Sequence, residues 1–138
     1  MDDYSKLLPY LISEFGDFDV FQKHLNQDID YSKASFDLKG LKITSWEEVG
    51  NVKYIGGDLH LAYNPIKSLG SLQSVGGYLG LSFTSIKSLG NLESVGGPLS
   101  LFSTPNLTDL GNLKEVKDRI YYEEGTKVEE LLKERGLI

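Results

Sequence analysis

The chain has 138 residues, of which 14 are basic and 20 acidic, and 40% are hydrophobic, enough for one core and too little for a second. Its net charge of -6 and pI near 4.9 argue against a ligand held by counterion release from a phosphate backbone, so nucleic acid is not expected. Cysteine is absent, which removes disulfides and thiolate metal sites; with no basic flank or long apolar run near Met1, a reducing cytoplasm and no membrane span are expected.

Residues 1–37 read as an N-terminal helical cap. Tyr4, Leu7, Leu8, Leu11, Ile12 and Phe15 recur at helical spacing, which predicts an amphipathic helix beginning near Asp3 or Ser5, strained at Pro9 and ended by Gly16. Asp19 and Gln22 form a capping-box pattern for a second short helix carrying Val20, Phe21 and Leu25.

Residues 38–125 are organised by a repeat. The segment 58–77, DLHLAYNPIKSLGSLQSVGG, and the segment 78–97, YLGLSFTSIKSLGNLESVGG, match at twelve positions. A third block from Pro98 is one residue longer, with Asn106-Leu107 for a single isoleucine and Lys117-Asp118 for the glycine pair. Extended backwards, the template covers 38–57, setting Leu41 for Leu61, Trp46 for Ile66, Val49 for Leu69, Gly50 for Gly70, Val52 for Leu72 and Ile55 for Val75. Arg119-Ile120-Tyr121-Tyr122 restarts the strand pattern as a last rung.

Each block has the same anatomy. Leu59 and Leu61 stand two apart, so in a strand both point inward and His60 points outward. Ile66, Leu69, Leu72 and Val75 are three apart, which predicts a turn-like or 3₁₀ return rather than a strand. Gly70 and the pair Gly76-Gly77 permit positive φ and close backbone approach at the corners. Asn64, with Thr44, Thr84 and Thr104 as its counterparts, is expected to satisfy corner backbone groups. Stacked copies would align Leu59, Leu79 and Leu99 in one column and Leu61, Leu81 and Leu101 in another, under a parallel sheet of four or five short strands.

Residues 126–138 close the chain. Thr126 and Glu129 form a capping box opening a helix with Val128, Leu131 and Leu132 on one side, and Leu137 and Ile138 tuck back after Gly136. Helical lids at both ends are expected because a bare stack exposes strand edges and leucines.

The stretch Leu59-x-Leu61-x-x-Asn64-x-Ile66 resembles the leucine-rich repeat consensus, and the recurring Ser-Val-Gly-Gly-x-Leu-x-Leu resembles its receptor L-domain variety. The phrase from Ser68 to Gly77 is similar to short repeat proteins of bacteria and their phages. Covering about residues 38 to 125, the resemblance implies an α/β solenoid that holds a partner on its strand face. It brings no shared catalytic residues.

The outward positions do not repeat. Rung by rung they are Leu38, Gly40 and Lys42; Asp58, His60 and Ala62; Tyr78, Gly80 and Ser82; Pro98, Ser100 and Phe102; and Arg119, Tyr121 and Glu123. Chemistry that changes at each rung over a nearly invariant core is what a surface shaped to one partner shows, and exposed aromatics such as Tyr78, Phe102 and Tyr121 are common interface anchors. The expected partner-binding set is Asp58, His60, Tyr63, Tyr78, Ser82, Phe83, Ser100, Phe102, Arg119, Tyr121 and Glu123. Five rungs of four residues give only roughly 250 to 350 Å², against roughly 800 Å² per partner in a standard interface. The descending loops at Tyr63, Asn64, Phe83, Thr84, Ser103 and Thr104 must therefore contribute, or the partner is a peptide, or the chain forms a homo-oligomer.

No catalytic, cofactor or metal site is expected. The two histidines, His24 and His60, fall in different parts of the chain, and no zinc-protease or P-loop motif occurs. A glycosidase-like carboxylate pair could be assembled from Asp58 with Glu123 or Glu124, but these lie several rungs from Asp58 and spacing gives no reason to choose them. The expected function is non-enzymatic protein binding, in its most specific form a phage-type inhibitor or adaptor acting on a host or defence protein. Sugar binding through the aromatics and acidic imitation of nucleic acid are the alternatives.

Overall fold

Two-residue alternation and glycine-marked bends produce a parallel β-solenoid of about four turns. The computed structural model describes residues 35–48 and 52–138. Strands β1 (Phe36–Asp37), β3 (Leu59–His60), β5 (Leu79–Gly80), β7 (Leu99–Ser100) and β9 (Ile120–Tyr121) lie side by side in one parallel sheet. On the return path, β2 (Tyr54–Ile55), β4 (Ser74–Val75), β6 (Ser94–Val95) and β8 (Glu115–Val116) form a second parallel sheet. Bridges from Ser68 to Ser88 and from Ser88 to Asp109 make a third ladder between the two sheets. The return is thus partly strand, where spacing in threes suggested a turn or 3₁₀ path. A backbone stacked in register on its neighbours finds interchain-like hydrogen bonds that spacing alone does not reveal. Trp46–Glu48 is the one 3₁₀ segment among the described residues.

The interior is a set of aligned apolar columns. Leu59, Leu79 and Leu99 pair directly across the first sheet. Leu61, Leu81 and Leu101; Trp46, Ile66, Ile86 and Leu107; Leu69, Leu89 and Leu110; Val52, Leu72, Leu92 and Leu113; and Ile55, Val75 and Val95 make further columns, all buried. Each fully buried leucine contributes about 1.5–3 kcal/mol, and no coil could enclose these side chains alone.

The first coil departs from the template. Phe36 pairs with Leu59 and Asp37 with His60, so Phe36 and Leu38 hold the inward positions and both are buried. Leu41, set against Leu61 by the repeat, is instead 40% exposed, and Leu38 leaves the outward face. The twenty-residue period holds on the return side, where Trp46, Val52 and Ile55 are buried as expected. Three additional residues are therefore taken up between Leu38 and Trp46. Asn64 holds this longer loop: its side-chain oxygen accepts from Leu41 N–H and Ile43 N–H at 3.0 Å each, and its amide nitrogen donates to Leu38 O and Leu61 O. Thr84 and Thr104 take over with single bonds to Leu81 O and Leu101 O. Thr44 lies off that column and is exposed.

The glycine pairs act through close approach rather than positive φ. A Cβ on Gly76 or Gly96 would sit on the carbonyl oxygen of the glycine one coil earlier, so backbone touches backbone there. Positive φ belongs to the single corner glycines, Gly70 at +51° and Gly90 at +53°.

Helix α1 (Lys127–Arg135) covers the end of the stack with Val128 and Leu132 buried against the core. The expected capping box does not form: Thr126 gives no side-chain cap and donates to Glu123 O instead, while Glu129 accepts from Gly125 N–H, one residue before the cap, at 3.3 Å. At the far end Gly136 is left-handed, and Leu137 N–H returns to Leu132 O at 2.9 Å. Leu137 packs on the core and Ile138 stays exposed. Arg135 donates to Gly111 O and Leu113 O, occupying carbonyls that the last coil leaves without a successor. The expected N-terminal helices, His24, Val49 and Gly50 lie outside the described residues.

Candidate binding face

The outer face of the five-stranded sheet and the corner beside it form the candidate site. Each coil must leave the sheet at the same point, and it does so through a left-handed residue: Gly40, Tyr63, Phe83 and Ser103 have φ of +67°, +61°, +59° and +53°. Their N–H groups extend the ladder, Gly40 to Ala62 O, Tyr63 to Ser82 O and Phe83 to Phe102 O, at 3.0 to 3.1 Å. Ser103 N–H donates at 2.6 Å to the carboxylate of Glu123, which replaces the carbonyl of a further coil. A left-handed conformation costs a non-glycine residue about 1–2 kcal/mol, yet two of the four places hold large aromatics. Because neighbouring strands are about 4.8 Å apart, the rings of Tyr63 and Phe83 stack at 4.8 Å with 4° between their planes. They remain 62% and 51% exposed.

On the sheet itself the expected residues divide. Tyr78 lies across Gly80, since a Cβ there would meet its ring at 2.7 Å, and it leans on His60 at 5.1 Å. Both rings are half-buried. Ser82 and Ser100 bond each other at 2.6 Å, and Ser100 is only 6% exposed. Asp58 accepts from Tyr78 N–H at 2.8 Å, which ties it to the sheet. Phe102 and Tyr121 project from the last two rungs, 6.2 Å apart, and both are exposed. Arg119 and Glu123 flank Tyr121 and are also exposed.

The structure therefore gathers Tyr63, Phe83, Phe102, Tyr121 and Glu123 along one side and leaves Ser100 covered. It adds Asp37 and Lys39, an ion pair at 3.8 Å on the first rung, together with the exposed Leu41. The alternation Phe36-Asp37-Leu38 carried the signal for that rung, but a strict twenty-residue period draws attention away from it. Charge is placed at the ends: the three middle rungs present Asp58 and no lysine or arginine at outward positions.

Two grooves adjoin the sheets. One of about 450 Å³ runs between the fourth corner and α1, lined by Leu101, Ser103, Thr104, Pro105, Glu123 and the start of the helix. The other, about 420 Å³, lies on the opposite sheet, where Tyr54 donates to Gln73 at 2.7 Å and Lys114 pairs with Glu93 at 3.2 Å. Among the described residues no three His, Cys, Asp or Glu side chains gather as metal ligands, and no helix is long and apolar enough to cross a membrane. No family model, curated protein or solved structure matches the chain.

Proposed function

We propose that this solenoid is a non-enzymatic protein-binding module of leucine-rich repeat type, working through the five-stranded face and its aromatic corner. The observation that carries the reading is the Tyr63–Phe83 stack: two large rings held in solvent on a backbone conformation that favours glycine. Retaining them there opposes stability, so their use lies outside the fold. An aromatic surface whose middle is nearly free of charge and whose ends carry it matches the anatomy of protein interfaces. Sugar recognition is less well served, because the hydroxyls of Ser82 and Ser100 already satisfy each other. Corner and groove together enlarge the contact beyond the small strand face. An inhibitor or adaptor of the phage type, acting in the cytoplasm on a host or defence protein, is the specific form of this proposal.

Site-specific photocrosslinking tests it. A benzophenone side chain at Phe83 or Phe102, introduced in the cells that naturally hold the protein, should give one discrete adduct, and the same group at Tyr54 on the opposite sheet should give none. Adducts from Tyr54 alone, or equal adducts from both faces, would sink the proposal.

A further inference from the structure

The aromatic ridge stops short at both ends. Gly40 begins it without a side chain, Tyr63 and Phe83 supply two parallel rings, and Ser103 ends it without a ring. In a ladder with about 4.8 Å between rungs, Phe83 turns one face to Tyr63 and the other toward the level of Ser103, where no ring follows. From the rung beyond, Glu123 turns its carboxylate back toward that level, its Oε1 accepting from Ser103 N–H at 2.6 Å and from the Ser103 hydroxyl at 3.4 Å. Glu123 lies two residues on from the Ser100–Tyr121 pair, which makes it the outward neighbour of Phe102. Neither Glu123 nor Glu124 has a cationic partner within 4.0 Å among the described residues, although both are exposed.

We infer that the place beside Phe83 and above Ser103 receives an arginine side chain from a basic segment of the protein partner, its guanidinium flat on the Phe83 ring and its N–H fork on Glu123. This deepens the proposed function and rests on it. A guanidinium is planar, so it continues a stack of rings, and it is always charged, so it answers a carboxylate with no cation of its own. An ammonium has no flat face to offer, and a neutral ring leaves Glu123 without a counter-charge. The chain's net charge of -6 favours encounter with the same class of partner.

The test is an amide-resolved NMR titration of the full chain with acetyl-Gly-Arg-Gly-amide and with its lysine and citrulline counterparts. Shifts should centre on Phe83, Ser103 and Glu123, with the arginine peptide bound at least about threefold more tightly than the lysine one and the citrulline peptide weakest. Phe83→Leu should weaken arginine binding about two- to fivefold. Glu123→Gln should erase the preference for arginine over citrulline while leaving the corner intact, because the amide oxygen still accepts from Ser103 N–H. Equal binding of the three peptides, or shifts centred on another surface, overturns the inference. Crosslinking separates the two claims: an adduct at Phe83 with no arginine preference overturns the arginine assignment alone, whereas the lack of an adduct there and at Phe102 overturns the face.

Discussion

Four residues at one corner position show how a side chain can be at odds with its own backbone. Gly40 meets the left-handed requirement without strain, whereas Tyr63, Phe83 and Ser103 meet it at a cost of about 1–2 kcal/mol each. Asparagine tolerates that region better than phenylalanine. Phe83→Asn is therefore expected to leave the unfolding free energy unchanged or raise it by up to about 1 kcal/mol, measured by urea denaturation, while removing partner binding. A loss of 2 kcal/mol or more would show instead that the ring stack holds the fold together. Leu101→Ala sets the contrast, since removing a buried leucine costs about 2–5 kcal/mol.

Between strands, the glycine pairs decide how closely coils can sit. Gly96→Ala would force a methyl group onto the Gly76 carbonyl, with backbone on both sides and no flexible side chain to yield. We expect it to cost about 3 kcal/mol in a urea titration and to loosen the neighbouring β4 and β6 pairing in hydrogen exchange. Gly40→Ala meets nothing within 4 Å and should cost only the left-handed penalty of about 1–2 kcal/mol. Equal costs at the two positions would contradict the close-approach role. Much of this element-level design was legible in advance: the leucine columns, a parallel sheet of four or five rungs, the bonding of Asn64 to corner backbone groups and the C-terminal helix all follow from spacing. Two features were not. The return strands depend on hydrogen bonds between coils, which apolar spacing does not encode, and the register of the first coil depends on a three-residue excess that the Asn64 bonds help to hold. Of the candidate face, the outward positions from Asp58 onward and the exposure of Tyr63, Phe83, Phe102 and Tyr121 were legible, whereas the first rung's outward set, the half-buried Tyr78 and the covered Ser100 were not. Its ridge was not, because φ at Tyr63 and Phe83 has no signature in residues that ordinarily avoid positive values.

At the largest scale, one continuous core runs from Phe36 to Leu132 among the described residues, so damage at one end should be felt at the other. Trp46, the single tryptophan, is fully buried in the first coil and donates to Val52 O at 2.9 Å. Its fluorescence reports that end. Leu132→Ala, at the opposite end in α1, is expected to destabilise by about 2–5 kcal/mol and to shift the tryptophan and circular-dichroism transitions by the same amount. A tryptophan midpoint left in place would mean that the two ends unfold independently.

The stacking of coils at a fixed interval also turns the molecule into a ruler. From the Gly40 corner to the level of Glu123 there are four steps of about 4.8 Å, a reach of about 19 Å. A partner gripping both extremities has to match that length, and lengthening or shortening the grip would require adding or deleting a whole twenty-residue block, since no individual side chain can alter the interval.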